Sequence, residues 1–231
     1  MNVTVCIPYG QTSQWNHELF CLVKRWWEAE FPEWDVVLGE CPQPFNRAHA
    51  RNSAAIRSRG DIFVFCDADT LPAEADQMAQ MAARAYIHPE EWFLPTEYIQ
   101  LDQGAAEQAI RDRVLPVPTM HNTMNIYRNQ PGGWCVIHRD AYFAVGGQDM
   151  GFHGWGYEDT AFVDAVSAVV APAKRRGAAI HLWHPRAQDR ASTASLAKNR
   201  GRYNLYERAK SNPQRMQKVL VNLGLLEDPD E

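Results

Sequence analysis

Three groups of side chains in this sequence could do chemistry together. Asp67 and Asp69, separated only by Ala68, follow directly on the apolar run Ile62 to Cys66. Glu158 and Asp159 follow a stretch of glycines and aromatics, Gly151-Phe152-His153-Gly154-Trp155-Gly156-Tyr157. His181 and His184 flank Leu182-Trp183, just ahead of Pro185. Two carboxylates so close in sequence suit a hard divalent cation, which takes oxygen ligands. A diphosphate would be repelled by them unless such a cation stood between. The same aspartates could instead cap a helix beginning near Thr70-Leu71-Pro72, since aspartate is favoured at helix N-caps.

Glu158 and Asp159 also have two readings. A carboxylate beside a hydroxyl can take its proton as general base. Both residues equally fit the first turn of a helix, where the dipole favours negative charge. The indole of Trp155 offers a flat apolar face on which a sugar ring can stack. Imidazole is a frequent ligand for manganese, iron and zinc. In an extended chain residues 181 and 184 point to opposite faces. If the chain turns ahead of Pro185, both can reach one ion. A mixed carboxylate and imidazole set favours manganese over magnesium or calcium, because imidazole is the softer ligand.

These groups need elements to position them. Met1 to Pro8 reads as a short buried strand, and Gln14 to Glu30 as a helix with Leu19, Leu22, Val23, Trp26 and Trp27 on one face. Asp35 to Leu38 is a second strand, Asn46 to Arg59 a helix capped by Gly60, Ile62 to Cys66 a third strand and Ala73 to Tyr86 another helix. The alternation predicts an α/β domain with a mainly parallel central sheet flanked by helices. Ligands of such sheets bind outside the carboxyl ends of the strands, which is where Asp67 and Asp69 lie. Pro89 to Gly133, with Pro95, Pro116, Pro118 and Pro131, predicts connecting loops and one short helix at Ala105 to Arg113. Further on, the pattern predicts a strand at Cys135 to His138, helices at Asp140 to Val145 and Asp159 to Val170, and a strand at Ala179 to Trp183. An arginine-rich tail follows, helical from Ser192 to Lys210 and from Gln214 to Leu223. It reads either as a solvated basic helix or as a segment that orders over a bound diphosphate.

Composition narrows the classes. With 231 residues, 45% hydrophobic and 22% charged, the chain can bury roughly 70% of its unfolded surface without disulfides. A net charge of −5 argues against a general nucleic-acid or anionic-membrane partner. Five cysteines without a CxxC pair read as reduced thiols in a cytosolic protein. No signal peptide and no membrane span are expected. Abundant alanine, with arginine exceeding lysine, suits a bacterial or phage genome.

Taken in order, these pieces resemble glycosyltransferases of the GT-A fold, in the family 2 and family 7 neighbourhood. The similarity is to the catalytic domain of β-1,4-galactosyltransferases and to the transferase domains of bacterial chondroitin-type polymerases. Ile7-Pro8-Tyr9 resembles the family's first strand end, Phe45-Asn46-Arg47-Ala48 its FNRA segment, and Phe63 to Asp69 its DxD strand. Gly132-Gly133 resembles a pair beside the donor sugar, Gly154 to Asp159 the GWGxED signature, and His181 to His184 the segment that closes the metal site.

The resemblance implies one GT-A domain over residues 1–231: a nucleotide-binding half at 1–90, a donor and acceptor half at 91–185, and a helical tail at 186–231. It implies a metal-dependent, inverting transfer from a UDP-sugar to a hydroxyl of a glycan, a lipid-linked glycan or a protein. Asp69, His181 and His184 would hold the metal, most simply Mn2+. Pro8, Tyr9, Phe45, Arg47, Asp67, Ala68, Gly132, Gly133 and Trp155 would contact the nucleotide and donor. Asp159 would be the base and Glu158 would help bind the acceptor.

The chain departs from the family at three places. The galactosyltransferases have methionine where His181 stands, and an aromatic pair where this chain has Gln130-Pro131, so the donor sugar does not carry over. No basic residue follows the first strand at Gly10-Gln11-Thr12, so phosphate charge falls to the metal, Arg47, Arg51 or the C-terminal arginines. That same stretch lacks the glycine-rich basic loop of a sugar nucleotidyltransferase. A non-catalytic sugar- or nucleotide-binding module is the other alternative, and the retention of both carboxylate clusters speaks against it. A structural zinc site would need cysteines at ligand spacing, which are absent.

Overall fold

A computed structural model describes residues 1–10, 13–185 and 193–227. The first half alternates as expected: β1 (Val3–Pro8), α1 (Gln14–Glu30), β2 (Asp35–Gly39), α2 (Arg47–Arg57) and β3 (Ile62–Cys66). Then come β4 (Thr70–Pro72), α3 (Ala75–Ile87), β5 (Phe93–Leu94), β6 (Glu97–Leu101), α4 (Gln103–Asp112), β7 (Thr123–Arg128) and β8 (Trp134–His138). The rest is α5 (Arg139–Phe143), α6 (Glu158–Val169), β9 (Lys174–Arg175), β10 (Ala178–His181), α7 (Thr193–Ala209) and α8 (Pro213–Asn222).

Six strands form one sheet in the order β2-β1-β3-β8-β5-β9. β1 pairs parallel with β2 and β3, and β5 with β9, while β8 runs antiparallel to both β3 and β5. Period-two alternation fills both faces of this sheet with apolar side chains. Val3, Val5, Ile7, Ile62, Val64 and Val136 face α1 and α3 in one core. Cys6, Phe63, Phe65, Cys135 and Ile137 face α6, α7 and α8 in the other. A strand buried on both sides must be apolar throughout, which is why Ile62 to Cys66 has no polar residue.

The segment predicted as connecting loops with one short helix contains that helix as α4 and, in addition, the strands β5, β6 and β7. Four strands, β4-β10-β6-β7, build a second, smaller sheet that the sequence pattern did not announce. β4 is antiparallel to β10, with Thr70 opposite His181, and β6 is parallel to β10. Thr70-Leu71-Pro72 is therefore a strand rather than a helix start. The cap of α3 is Glu74, which makes no side-chain cap bond, so neither aspartate serves as a helix cap.

α7 is no solvated basic helix. Tyr203, Tyr206 and Ala209 are buried against α6 and α8. The alternative, ordering over a diphosphate, concerns in part residues 186–192, which lie outside the described residues.

Candidate active site

Asp67 and Asp69 occupy the turn where the chain leaves the six-stranded sheet at β3 and enters the smaller sheet at β4. The Asp67 amide donates to the Gly133 carbonyl at 3.1 Å, and the Leu182 amide to the Asp69 carbonyl at 2.9 Å. These backbone bonds bring Gly133 and the end of β10 to the two carboxylates. β10 stops at His181 and the chain turns, so His184 returns to the side of its neighbour, with ring centroids 5.3 Å apart. Nε2 of His184 lies 3.2 Å and Nε2 of His181 3.8 Å from the same Asp69 oxygen. Of the two geometries open in the sequence, the turning one is found.

One ligand atom from each of Asp69, His181 and His184 lies within 4.8 Å of the others, close enough to share one ion. A carboxylate with two imidazoles is a donor set suited to a transition metal such as manganese. Burial alone would raise the Asp69 carboxyl; His181, then His184, outweigh it and hold it well below the usual carboxylate range. The Tyr98 ring packs 5.3 Å from that of His181, and burial followed by the charges of Asp69 and Asp67 raises its phenol. A second cluster, His88, Glu90 and Glu91, has comparable spacing, but Arg84 and Lys174 already occupy Glu91.

The second carboxylate pair reaches the first through Arg51. This arginine is only 4% exposed. It donates from one nitrogen to Asp67 at 2.7 Å and from the other to Asp159 at 2.5 Å and Gln148 at 3.0 Å. Burial would lower its guanidinium; Asp159 and Asp67 outweigh that and raise it. A buried cation needs such partners, because desolvating it unpaired costs several kcal/mol. Arg51 is thus committed to the two carboxylates and to Gln148.

Arg47, one turn earlier on the same face of α2, donates to Glu158. The other Glu158 oxygen accepts from the Gly156 amide at 3.0 Å. Glu158 is 8% exposed, and its two oxygens are engaged by Arg47 and by the loop backbone. Burial, then the neighbouring Asp159 charge, raises its carboxyl.

α2 also carries the 146–157 loop. Asn46 donates to the carbonyls of Met150 and Phe152, both at 2.9 Å, while its own oxygen caps α2. Asn52 exchanges two bonds of 2.8 Å with the Gln148 backbone. On the other side Asp149 accepts twice from Arg202, at 2.6 and 2.7 Å, and once from Tyr206 at 2.8 Å. Asn199 of α7 bonds the backbone of His153, Trp155 and Gly156. The loop is thereby clamped between two helices, with Trp155 about half exposed at its tip. Sequence reasoning missed Asn52, Gln148 and Asn199. Their partners lie 43 to 97 residues away in sequence, so no local spacing marks them.

Gly132 and Gly133 complete the wall. A β-carbon on Gly132 would stand 3.1 Å from an Asp159 oxygen. Gly133 has φ +100°, a region side chains avoid, and a β-carbon there would crowd Ala179 and Tyr98. At the far end, Tyr9 stacks on Phe20 at 4.0 Å and bonds His17 at 2.6 Å, while Phe45 packs over Gly10. Pro8, Tyr9 and Phe45 thus lie at the carboxyl end of β1 and the start of α2, and Ala68 lies in the turn between the aspartates.

Residues 120–180 match the family model described as the N-terminal domain of galactosyltransferase. No curated protein sequence matches the chain. The solved catalytic domain of Drosophila β1,4-galactosyltransferase 7, in complex with xylobiose, is 14% identical with a TM-score of 0.51, covering 86% of this chain and 79% of that one. GalNAc-T7 with UDP, GalNAc and Mn2+ is 12% identical with a TM-score of 0.58, covering 97% of this chain and 54% of that one. A mutant of the Drosophila enzyme, solved with manganese, UDP-Gal and xylobiose, is 13% identical with a TM-score of 0.45, and this chain spans 65% of its length. The chain has the GT-A fold that these glycosyltransferases share.

Proposed function

We propose that this chain is a divalent-metal-dependent glycosyltransferase, transferring a sugar from a UDP-sugar to a hydroxyl with inversion. One observation carries the reading: a carboxylate–diimidazole cluster includes Asp69, two residues from Asp67, and a single buried arginine joins Asp67 to a second carboxylate, Asp159. The GalNAc-T7 structure with UDP and Mn2+ supports the choice of nucleotide and metal, and the galactosyltransferase match over residues 120–180 supports the reaction class.

Asp69, His181 and His184 would hold the ion. When bound it supplies Lewis-acid stabilisation of the departing diphosphate. Pro8, Tyr9 and Phe45 border the space for the nucleotide, and Arg47 keeps about a third of its side chain exposed toward it. Asp67 and Gly133 border the donor sugar. Arg51 occupies one Asp159 oxygen, which leaves Oδ2, beside Gly132, to take the proton of the acceptor hydroxyl. The hydroxyl oxygen then bonds to the anomeric carbon as the carbon–phosphate oxygen bond breaks and nucleoside diphosphate leaves. A base so placed is worth roughly 10²–10⁴ in rate. Because the loop is clamped on both sides, closure over the donor falls to the Trp155 tip.

Asp69→Asn and Asp159→Asn separate the two roles. Titration calorimetry with UDP and manganese should show binding lost in the first and kept within a few fold in the second. Transfer should fall in both, by roughly 10²–10⁴ in Asp159→Asn. Wild-type transfer by Asp159→Asn would remove it as base, and retention of configuration in the product would remove inversion.

A further inference from the structure

The two imidazoles of the candidate metal cluster are separated by Leu182 and Trp183, and each of these residues is tied to a different part of the fold. Leu182 is fully buried, and its amide donates to the Asp69 carbonyl at 2.9 Å. The Trp183 carbonyl accepts from the indole nitrogen of Trp15 at 3.1 Å. The two indoles meet edge to face, with ring centroids 5.6 Å apart, and both pack against the core shared by α1 and α3. Trp15 is the second residue of α1, 168 positions earlier in the chain.

The two histidines differ in what holds their backbone. His181 is the last residue of β10, paired with Thr70 of β4 and Gln100 of β6. His184 lies three residues past the end of that strand, outside the ladder. There the Trp15 bond acts on the peptide unit that leads into it. A peptide unit is planar, so the Trp183 oxygen and the α-carbon of His184 move together. Holding that oxygen fixes the point from which the His184 side chain departs. The ring is oriented in turn, with Nδ1 3.0 Å from the Pro185 carbonyl and Nε2 3.2 Å from an Asp69 oxygen. A carbonyl only accepts, so Nδ1 carries a proton, and Nε2 is the nitrogen turned toward Asp69. An indole N–H in a packed setting usually finds an acceptor, and such a bond can serve the fold alone. What sets this one apart is its acceptor, the peptide that bears His184.

We propose that Trp15 is a positioning residue for the metal site: its indole N–H holds the Trp183–His184 peptide so that the His184 imidazole is presented to an ion beside Asp69. The inference rests on the reading of Asp69, His181 and His184 as metal ligands. It adds α1 to the elements that build their site. Groups that orient a metal ligand act on affinity without touching the ion.

The test is titration calorimetry of the full chain with Co2+, which imidazole binds more tightly than Mn2+. The relevant site is the one lost in Asp69→Asn. Trp15→Phe keeps an aromatic ring at this position and removes the N–H; circular dichroism at the titration temperature checks that each variant is folded. Trp15→Phe should weaken Co2+ binding roughly three- to ten-fold, the range that one net hydrogen bond supplies. His184→Ala should weaken it further. Within the His184→Ala background, Trp15→Phe should change the affinity by less than about two-fold, because no imidazole remains to be positioned. An unchanged affinity in Trp15→Phe would overturn the proposal, and so would an equal loss in both backgrounds, which is what general loosening of the site predicts. A wild-type chain with no Co2+ site sensitive to Asp69→Asn would instead overturn the metal reading, and the inference with it.

Discussion

Replacing Arg51 by methionine probes the link between the two acidic clusters. Methionine keeps most of the aliphatic volume, so packing changes little. What is lost is the cation that Asp67 and Asp159 share, at 2.7 and 2.5 Å. Both carboxylates are only 22% exposed, so water screens them incompletely. Two like charges on the order of 5 Å apart, at an effective dielectric of ~20, repel by about 3 kcal/mol. Breaking a buried ion pair from one side typically costs about 3–5 kcal/mol, which agrees. At about 2–4 °C per kcal/mol for a chain of this size, the melting temperature should fall by roughly 6–20 °C. Combining Arg51→Met with Asp159→Asn should cost less than the sum of the two, by about 1–3 kcal/mol. Calorimetric melts of the four proteins at pH 7 supply the comparison. A single variant that melts within 2 °C of wild type at neutral pH, or strict additivity in the cycle, would refute the view of Arg51 as a shared counter-ion.

Other consequences are simpler to measure. Manganese and UDP together, at a hundred times their dissociation constants, should stabilise the chain by about 2.7 kcal/mol; thermal melts should show it, and chelator or His184→Ala should abolish it. Gly132→Ala places a methyl about 3 Å from the Asp159 oxygen that faces it, so kcat should fall more than UDP affinity, and an unchanged kcat would show that oxygen to be uninvolved. Among the thiols, Cys6, Cys66 and Cys135 are buried, and burial raises all three, Cys135 to about 12. A thiol reagent should therefore count only Cys21 and Cys41 quickly in the native protein and all five cysteines after denaturation.

The sequence by itself determined the helices, the strands β1, β2, β3, β8 and β10, and the identity of the chemical groups. Ile62 to Cys66 is legible as a strand buried on both faces because every residue is apolar, and the helical periods of α1 and α2 are equally plain. The carboxylates of the Asp67-Ala68-Asp69 turn and those after Gly156 were visible from residue type alone. What tertiary structure decided is how these groups meet. Thr70 to Pro72 is too short to show a period, and its strand character comes from pairing with β10, which sets Thr70 opposite His181 and so brings the imidazoles to Asp69. Strands β6 and β7 lie within proline-rich sequence and are stabilised by each other rather than by local preference. The partnership of Arg51 with Asp159 spans 108 residues and leaves no local pattern. Electrostatics demands that a buried guanidinium find carboxylates, but only the packed helix α2 settles which ones.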